Sequence, residues 1–304
     1  MEKIITLNSI DDYNHIFGFE TFNPLVGIYD LSQAKHPENF VAEMEWHYGI
    51  YAVFLKHTMC GDITYGHTRY DYSEGTVTSF APGQVAHSKT SEPGVMPRNF
   101  ALMFSPDLVH GTSLGHNMKN YSFFSYTSHE ALHLSERERA EFKACLDRIQ
   151  AEVERPIDRH SRKLICSNIE LLLENCMRFY DRQFITRQDQ NLGVLARFEK
   201  ELNAYFANRE HYPEGLPTVK YFAERCFLSP NYFGDLVKKE TGRTPQDYIQ
   251  AKVIDLAKDM LKGSATPVGE IAYQLGFGYS QHFNRYFKKL VGMTPTQYRL
   301  KSVI

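Results

Sequence analysis

Two lysine pairs, Lys238-Lys239 and Lys288-Lys289, stand fifty residues apart, and each is followed by a glycine (Gly242, Gly292) and a Thr-Pro step (Thr244-Pro245, Thr294-Pro295). Ammonium groups repeated at a fixed interval suit phosphate oxygens, contacts that give affinity for a polyanion without reading its sequence. Arg243 adds a cation to the first set. A single such pair reads equally well as solvated helix surface; a repeated pair argues for a ligand. The charge distribution agrees. Residues 195–304 hold 16 Lys and Arg against 11 Asp and Glu, net +5, whereas residues 1–194 carry −7, so the total of −2 conceals a basic C-terminal third.

Catalytic patterns are absent. The chain has no nucleophile elbow, phosphate loop or HExxH motif, and its acids show no spacing that pairs two carboxylates. The five cysteines (Cys60, Cys145, Cys166, Cys176, Cys226) lie far apart with no CxxC or Cys/His metal spacing, as expected of reduced thiols serving as small apolar residues. No apolar run reaches the roughly 18 residues of a membrane span, and the first residues, MEKIITLNSIDDYNHIF, lack a signal-peptide core, so the expected location is the cytoplasm.

The elements that must position the lysines come as a repeat. TVKYFAERCFLSPNYFGDLVKKETGRTPQDYI begins at Thr218 and TPVGEIAYQLGFGYSQHFNRYFKKLVGMTPTQYR at Thr266, with one extra residue in the second turn. In the first copy Thr218 N-caps a helix carrying Val219, Phe222, Ala223 and Cys226 on one face, and Ser229-Pro230 restarts a helix that turns Phe233, Leu236 and Val237 inward. In the second, Thr266 caps with Pro267 following, Gly276 makes the turn, and Phe283, Tyr286 and Phe287 face inward. Thr244-Pro245 and Thr294-Pro295 each begin a third helix, the latter with a capping box to Gln297. The helix from Thr244 to Leu261, striped by Ile249, Val253, Leu256 and Met260, connects the copies rigidly. Two helix-turn-helix units on such a connector can set their second helices about 34 Å apart, one duplex turn. Double-stranded DNA is therefore the expected partner.

Upstream, short apolar and aromatic alternations from Gly49 to Phe124 (GIYAVFLK, DITYG, GTVTSFAPGQ, NFALMFS) predict a small β domain. Ser135 and Glu138 form a capping box before a helix ending near Pro156. A second helix carries Ile165, Ile169, Leu172, Leu173, Cys176 and Phe179, a stripe suited to packing on the β domain or to a dimer seam. The polar stretch RQDQNLG, 187–193, reads as a hinge.

The C-terminal region resembles the AraC/XylS family of transcription regulators, most tellingly in GFGYSQHFNRYFKKLVGMTPTQYR, with its GF turn, paired aromatics, basic residues and G-x-[ST]-P-x-x-[YF]-R ending. That resemblance covers about residues 195–300 and implies an all-α tandem helix-turn-helix domain. By position it makes Asn231, Gly234 and Asp235 of the first recognition helix, and Ser280, Gln281, His282, Asn284 and Arg285 of the second, the base readers. Lys238, Lys239, Arg243, Lys288 and Lys289 would contact phosphates. Gly234 and Asp235 stand where related chains often carry Gln and Arg, so the second helix reads more bases than the first.

The first half, chiefly at GTVTSFAPGQVAH, is similar to that family's cupin-like sensor domain, which implies a jelly-roll barrel holding a small-molecule effector near His47, Tyr51 and His87. Gly75, Pro82, Gly83 and His87 approximate the second motif of metal-binding cupins. The first motif's cluster of histidines and a carboxylate is missing around WHYGIYAVF, so His47, His57, His67 and His87 read as structural or pocket residues and no cofactor is expected. The expected layout is a mainly β cupin-like sensor over 1–134, a helical linker or dimerisation segment over 135–193, and a DNA-binding domain over 194–304. The predicted function is an effector-responsive, non-enzymatic transcription regulator, working as a homodimer with RNA polymerase as a further partner. The alternatives are a metal-dependent cupin enzyme with an appended DNA module, and a dimerisation scaffold.

Overall fold

The computed structural model describes residues 3–56, 75–89, 93–127, 130–207 and 215–301, and the chain divides into two compact units, Met1–Arg187 and Gln188–Ile304. Among the described residues no helix is long and apolar enough to cross a membrane.

In the first unit, β1 (Lys3–Leu7), β3 (Glu43–Tyr48) and β6 (Gln84–Lys89) form one sheet in the order β1-β3-β6. The second sheet has the order β2-β7-β4-β5-β8, from β2 (Val26–Asp30), β4 (Tyr51–Lys56), β5 (Thr76–Phe80), β7 (Phe100–Phe104) and β8 (Leu132–His133). Alternation in β3 decides which face is buried: Met44, Trp46 and Tyr48 turn inward and Glu43, Glu45 and His47 outward. The inward residues join Ile5 and Leu7 of β1, Tyr29 of β2, Ala52 of β4 and Ala101 and Met103 of β7 in one core cluster, so both sheets contribute to it. Helix α1 (Ile10–Phe17), opened by a Ser9/Asp12 capping box, adds Ile10, Tyr13 and Phe17.

Of the expected jelly roll, the described strands show the β-sheets but no closed barrel. β1 pairs in parallel with β3 at an edge of one sheet, while β4, three residues after β3, joins the other. The stretch GTVTSFAPGQVAH supplies β5 and β6, with the turn at Gly83 in the left-handed region (φ 87). His57, His67 and Cys60 lie outside the described residues.

Helix α2 (Pro106–Val109) and helix α3 (Ser113–Asn117) precede two long helices, α4 (Glu136–Val153) and α5 (Ser161–Thr186). The Ser135/Glu138 capping box opens α4 as expected. The α5 stripe Ile165, Ile169, Leu172, Leu173, Cys176 and Phe179 is buried within this unit, α4 bringing Phe142, Cys145, Leu146 and Ile149 to the same interior. Arg182 locks the pair, donating to the Glu138 carboxylate and the His133 carbonyl, each at 2.6 Å.

The predicted hinge narrows to its first residue, where the two units divide. Of residues 187–193 only Arg187 lies outside a helix, since α6 (Gln188–Ala207) begins at once; a polar run ending in glycine can still be helical when its neighbours supply the buried face, as Phe198 and Leu202 do here. The second unit continues with α7 (Val219–Arg225), α8 (Pro230–Thr241), α9 (Pro245–Gly263), α10 (Val268–Gln274), α11 (Ser280–Val291) and α12 (Pro295–Lys301). Cys145, Cys166, Cys176 and Cys226 are unpaired and buried, and burial pushes the Cys226 thiol up to about 11.

Candidate nucleic-acid interface

The two copies of the repeat share one backbone design. In the first turn Cys226, Phe227 and Leu228 donate to the carbonyls of Phe222, Glu224 and Ala223; in the second Leu275, Gly276 and Phe277 donate to those of Ile271, Tyr273 and Ala272, all at 2.9–3.0 Å. The extra residue of copy two falls just after this turn, at Gly278-Tyr279. Both second helices then end alike, Gly242 (φ 72) and Gly292 (φ 81) donating to the carbonyls of Lys238 and Lys288.

Helix starts follow the sequence except at one point. Thr218 and Ser229 accept from the amides of Tyr221 and Tyr232, Thr244 and Asp247 form a capping box, and Thr294 and Gln297 form another. Thr266, however, does not cap α10. Pro267 takes the cap position, its extended backbone delaying the helix to Val268. The Thr266 carbonyl instead accepts from Arg299 Nη2 at 2.6 Å, while Arg299 Nε reaches the Leu261 carbonyl at 3.2 Å. This clamp satisfies an orphan carbonyl at the end of α9 and fixes α12 to it.

Aromatic packing orients the second helices. Phe198 of α6 meets Phe222, Phe233 and Tyr248 at 5.3, 5.1 and 5.7 Å in the first copy of the repeat; in the second, Phe283 meets Phe277 and Phe287 at 5.3 and 5.7 Å, and Phe287 meets Tyr298 at 5.6 Å. Tyr286 is half-buried, and burial pushes its phenol up to about 12. Connector α9 buries Ile249, Val253, Ile254, Ala257 and Leu261; the expected Leu256 and Met260 are only half-buried, because its apolar face is rotated from that stripe.

With these faces inward, the predicted contact residues fall outward. On α8 Asn231, Lys238 and Lys239 are exposed and Gly234 and Asp235 half-buried; Arg243 is exposed just beyond the helix. On α11 Gln281, His282, Arg285, Lys288 and Lys289 are exposed and Ser280 and Asn284 half-buried. Gln281, Arg285 and Lys288 thus line one exposed side at helical spacing. The helices differ in chemistry: α11 offers amide, imidazole and guanidinium groups where α8 offers a glycine, a carboxylate and, opposite His282, a buried Tyr232. Gly234 has no atom within 4 Å of where a side chain would begin, so packing does not demand its smallness.

Two exposed aromatics escaped the sequence reading. Phe227 is 80 % exposed with φ 59, and the Arg197 guanidinium lies over its ring at 4.6 Å. Tyr279, 68 % exposed, precedes α11 and meets His282 edge-on at 5.5 Å. The signal for Phe227 was its alignment with Gly276: a bulky side chain at a turn position needing positive φ.

The first unit contains a cavity of about 770 Å³ between strand residues of both sheets, walled by Tyr13, Phe17, Trp46, Tyr48, Phe54 and Phe80. His87 lines it; His47 and Tyr51 do not. His47 contacts Glu45 on the outward face of β3, where His87 Nδ1 stands 3.8 Å from the same carboxylate, and Tyr51 stacks on Phe104 at 4.9 Å and meets Phe124 edge-on at 5.3 Å. Among the described residues no group of three or more His, Cys, Asp or Glu could hold a metal ion.

Residues 222–301 match the helix-turn-helix domain family. The HTH-type transcriptional regulator AlkR of Acinetobacter baylyi is 28 % identical over 134 residues, 44 % of this chain and 43 % of its own. The HTH-type transcriptional activator RhaS of Salmonella schwarzengrund is 34 % identical over 90 residues, 30 % of this chain and 32 % of its own. The C-terminal third belongs to the AraC family. Among solved structures, the C-terminal domain of the response regulator yesN from Fusobacterium nucleatum is 32 % identical over 33 % of this chain and 96 % of its own, with a TM-score of 0.30. The chain spans less than half the length of the curated relatives it matches. Within the AraC-type domain, α8 and α11 are the second helices of the two helix-turn-helix units, and α9 is the connector between them.

Proposed function

We propose that the chain is a sequence-specific DNA-binding transcription regulator in which α11 reads bases, α8 contributes fewer base contacts, and the lysine pairs with Arg243 hold phosphates. The exposed side of α11, with Gln281, Asn284 and Arg285 ahead of Lys288 and Lys289, carries this reading. Amides suit adenine edges, guanidinium suits guanine, and ammonium groups near a helix end suit the backbone. Asp235 on α8 can accept only from a base amino group such as that of cytosine. The named relatives are transcription regulators, which supports a non-enzymatic role.

The N-terminal unit serves as the sensor, a cupin-like module whose cavity takes a small-molecule effector. The size of that cavity falls within the roughly 300–1,000 Å³ usual for such sites and supports the assignment. Exposed Leu164 and Leu171, seven residues apart on α5, support a homodimer seam; a contact to RNA polymerase follows from the regulator reading alone. Selection from a random duplex library with the full chain, followed by titrations against salt, tests the proposal. Enrichment of a motif covering two successive major-groove segments is expected; weak binding to every sequence alike would overturn it.

A further inference from the structure

If the N-terminal cavity holds an effector, as proposed for the sensor unit, its lining sets the chemistry of that effector. The cavity walls are rings: Tyr48 and Phe80 stack at 4.7 Å and 2°, with Phe54 edge-on to Phe80 at 6.0 Å. Among these rings Tyr13 and Tyr48 stand out. They are 2 % and 5 % exposed, both line the cavity, and neither hydroxyl has a hydrogen-bond partner among the described residues. Buried hydroxyls normally find partners, so two unpartnered phenols facing one cavity mark where a ligand supplies them. The other polar side chains of its buried and half-buried walls are engaged: Trp46 Nε1 donates to Ser88 Oγ at 2.9 Å, the Gln84 amide donates to the Phe124 carbonyl and accepts from the Ala81 amide, and the Tyr126 hydroxyl meets Ser122 Oγ.

Lys56, half-buried, also lines the cavity and has no acidic partner among the described residues. The buried and half-buried groups awaiting a partner are therefore donors: the Lys56 ammonium and two phenol O–H groups, and burial keeps the two phenols protonated by raising their pKa. The geometry points to an aromatic carboxylic acid carrying a second, hydroxyl-type oxygen as the effector. Its ring lies among Trp46, Tyr48 and Phe80, its carboxylate pairs with Lys56, and its second oxygen accepts from Tyr13 and Tyr48.

The test uses 6-hydroxy-2-naphthoate, 2-naphthoate and the methyl ester of each, titrated into the full chain by calorimetry. Emission of Trp46, the chain's single tryptophan and a cavity residue, gives a second readout. The hydroxy acid is expected to bind one per chain and about tenfold more tightly than its ester. Lys56→Met is expected to erase the acid-over-ester preference and Lys56→Arg to restore it, while Tyr48→Phe removes the gain due to the hydroxyl. Thermal unfolding of each variant checks that it is folded. Esters that bind as tightly as the acids, or a preference surviving in Lys56→Met, would overturn the proposed class and leave the cavity as an effector site. No heat and unchanged Trp46 emission with all four compounds at about 1 mM would overturn the effector reading as well.

Discussion

Arg285 is the residue on which the base-reading proposal is most exposed to test. If its guanidinium is bidentate to guanine, Arg285→Ala should cost about 1–3 kcal/mol on the selected operator and relax preference at one base pair. A uniform loss on every duplex would return it to a backbone contact. Lys288 and Lys289 should behave oppositely: replacing both by Ala weakens binding on all sequences and lowers the slope of log affinity against log salt by about two. These residues were legible because side chains at helical spacing declare a face, and a repeated helix declares it twice. Tyr13 and Tyr48 were not legible. They come from α1 and β3 and meet only through the pairing of β1 with β3, a non-local arrangement that no spacing encodes. The approach of His87 to Glu45 is hidden likewise, since it depends on the register that sets residue 45 opposite residue 87.

At the scale of elements, the two turns of the repeat make an internal comparison. Gly276, with φ 88, packs so closely that a Cβ would stand 2.8 Å from the backbone carbon of Gly215. Gly276→Ala should therefore destabilise the AraC-type domain by at least about 2 kcal/mol, through the left-handed conformation and the clash together, with a visibly lower melting temperature. A change below about 0.5 kcal/mol would show that the turn relaxes freely. Phe227 holds the same position in copy one against its conformational preference. Phe227→Gly should stabilise by about 0.5–1 kcal/mol, the strain relieved outweighing the exposed contact with Arg197. If denaturant unfolding shows a loss instead, the cation–ring contact is the stronger term. Capping boxes at Ser135 and Thr294 and the helix start at Thr244 were readable in advance because they are local. The division at Arg187 lies inside the predicted hinge, but the helicity of residues 188–193 was misread because helix formation in a polar stretch is decided by what Phe198 packs against, not by the stretch itself.

For the whole molecule, acid sensitivity should trace to His133. Its pKa is lowered from 6.5 to about 4 by burial and by the nearby guanidinium groups of Arg187 and Arg182. The folded state thus holds the neutral ring, whereas the unfolded chain takes up a proton below about pH 6.5. Stability should be full above that pH and fall as pH drops toward 4, by on the order of 3 kcal/mol at the lower limit. Denaturant unfolding from pH 7 to 4 measures the slope, and His133→Asn should flatten it; an unchanged slope would move the acid sensitivity elsewhere.

The connector α9 has a consequence for the genome rather than for the protein. Its 19 residues span roughly 28 Å, it is held at its far end by the Arg299 clamp, and it packs against both reading helices. On the proposed reading such a strut works as a ruler. A promoter that gains one base pair between the two contact segments turns the second by about a tenth of a helical turn and moves it out of reach, even though every recognised base is still present. Spacing would then be inherited as strictly as sequence, and insertions in that gap would silence a site more completely than most substitutions within it.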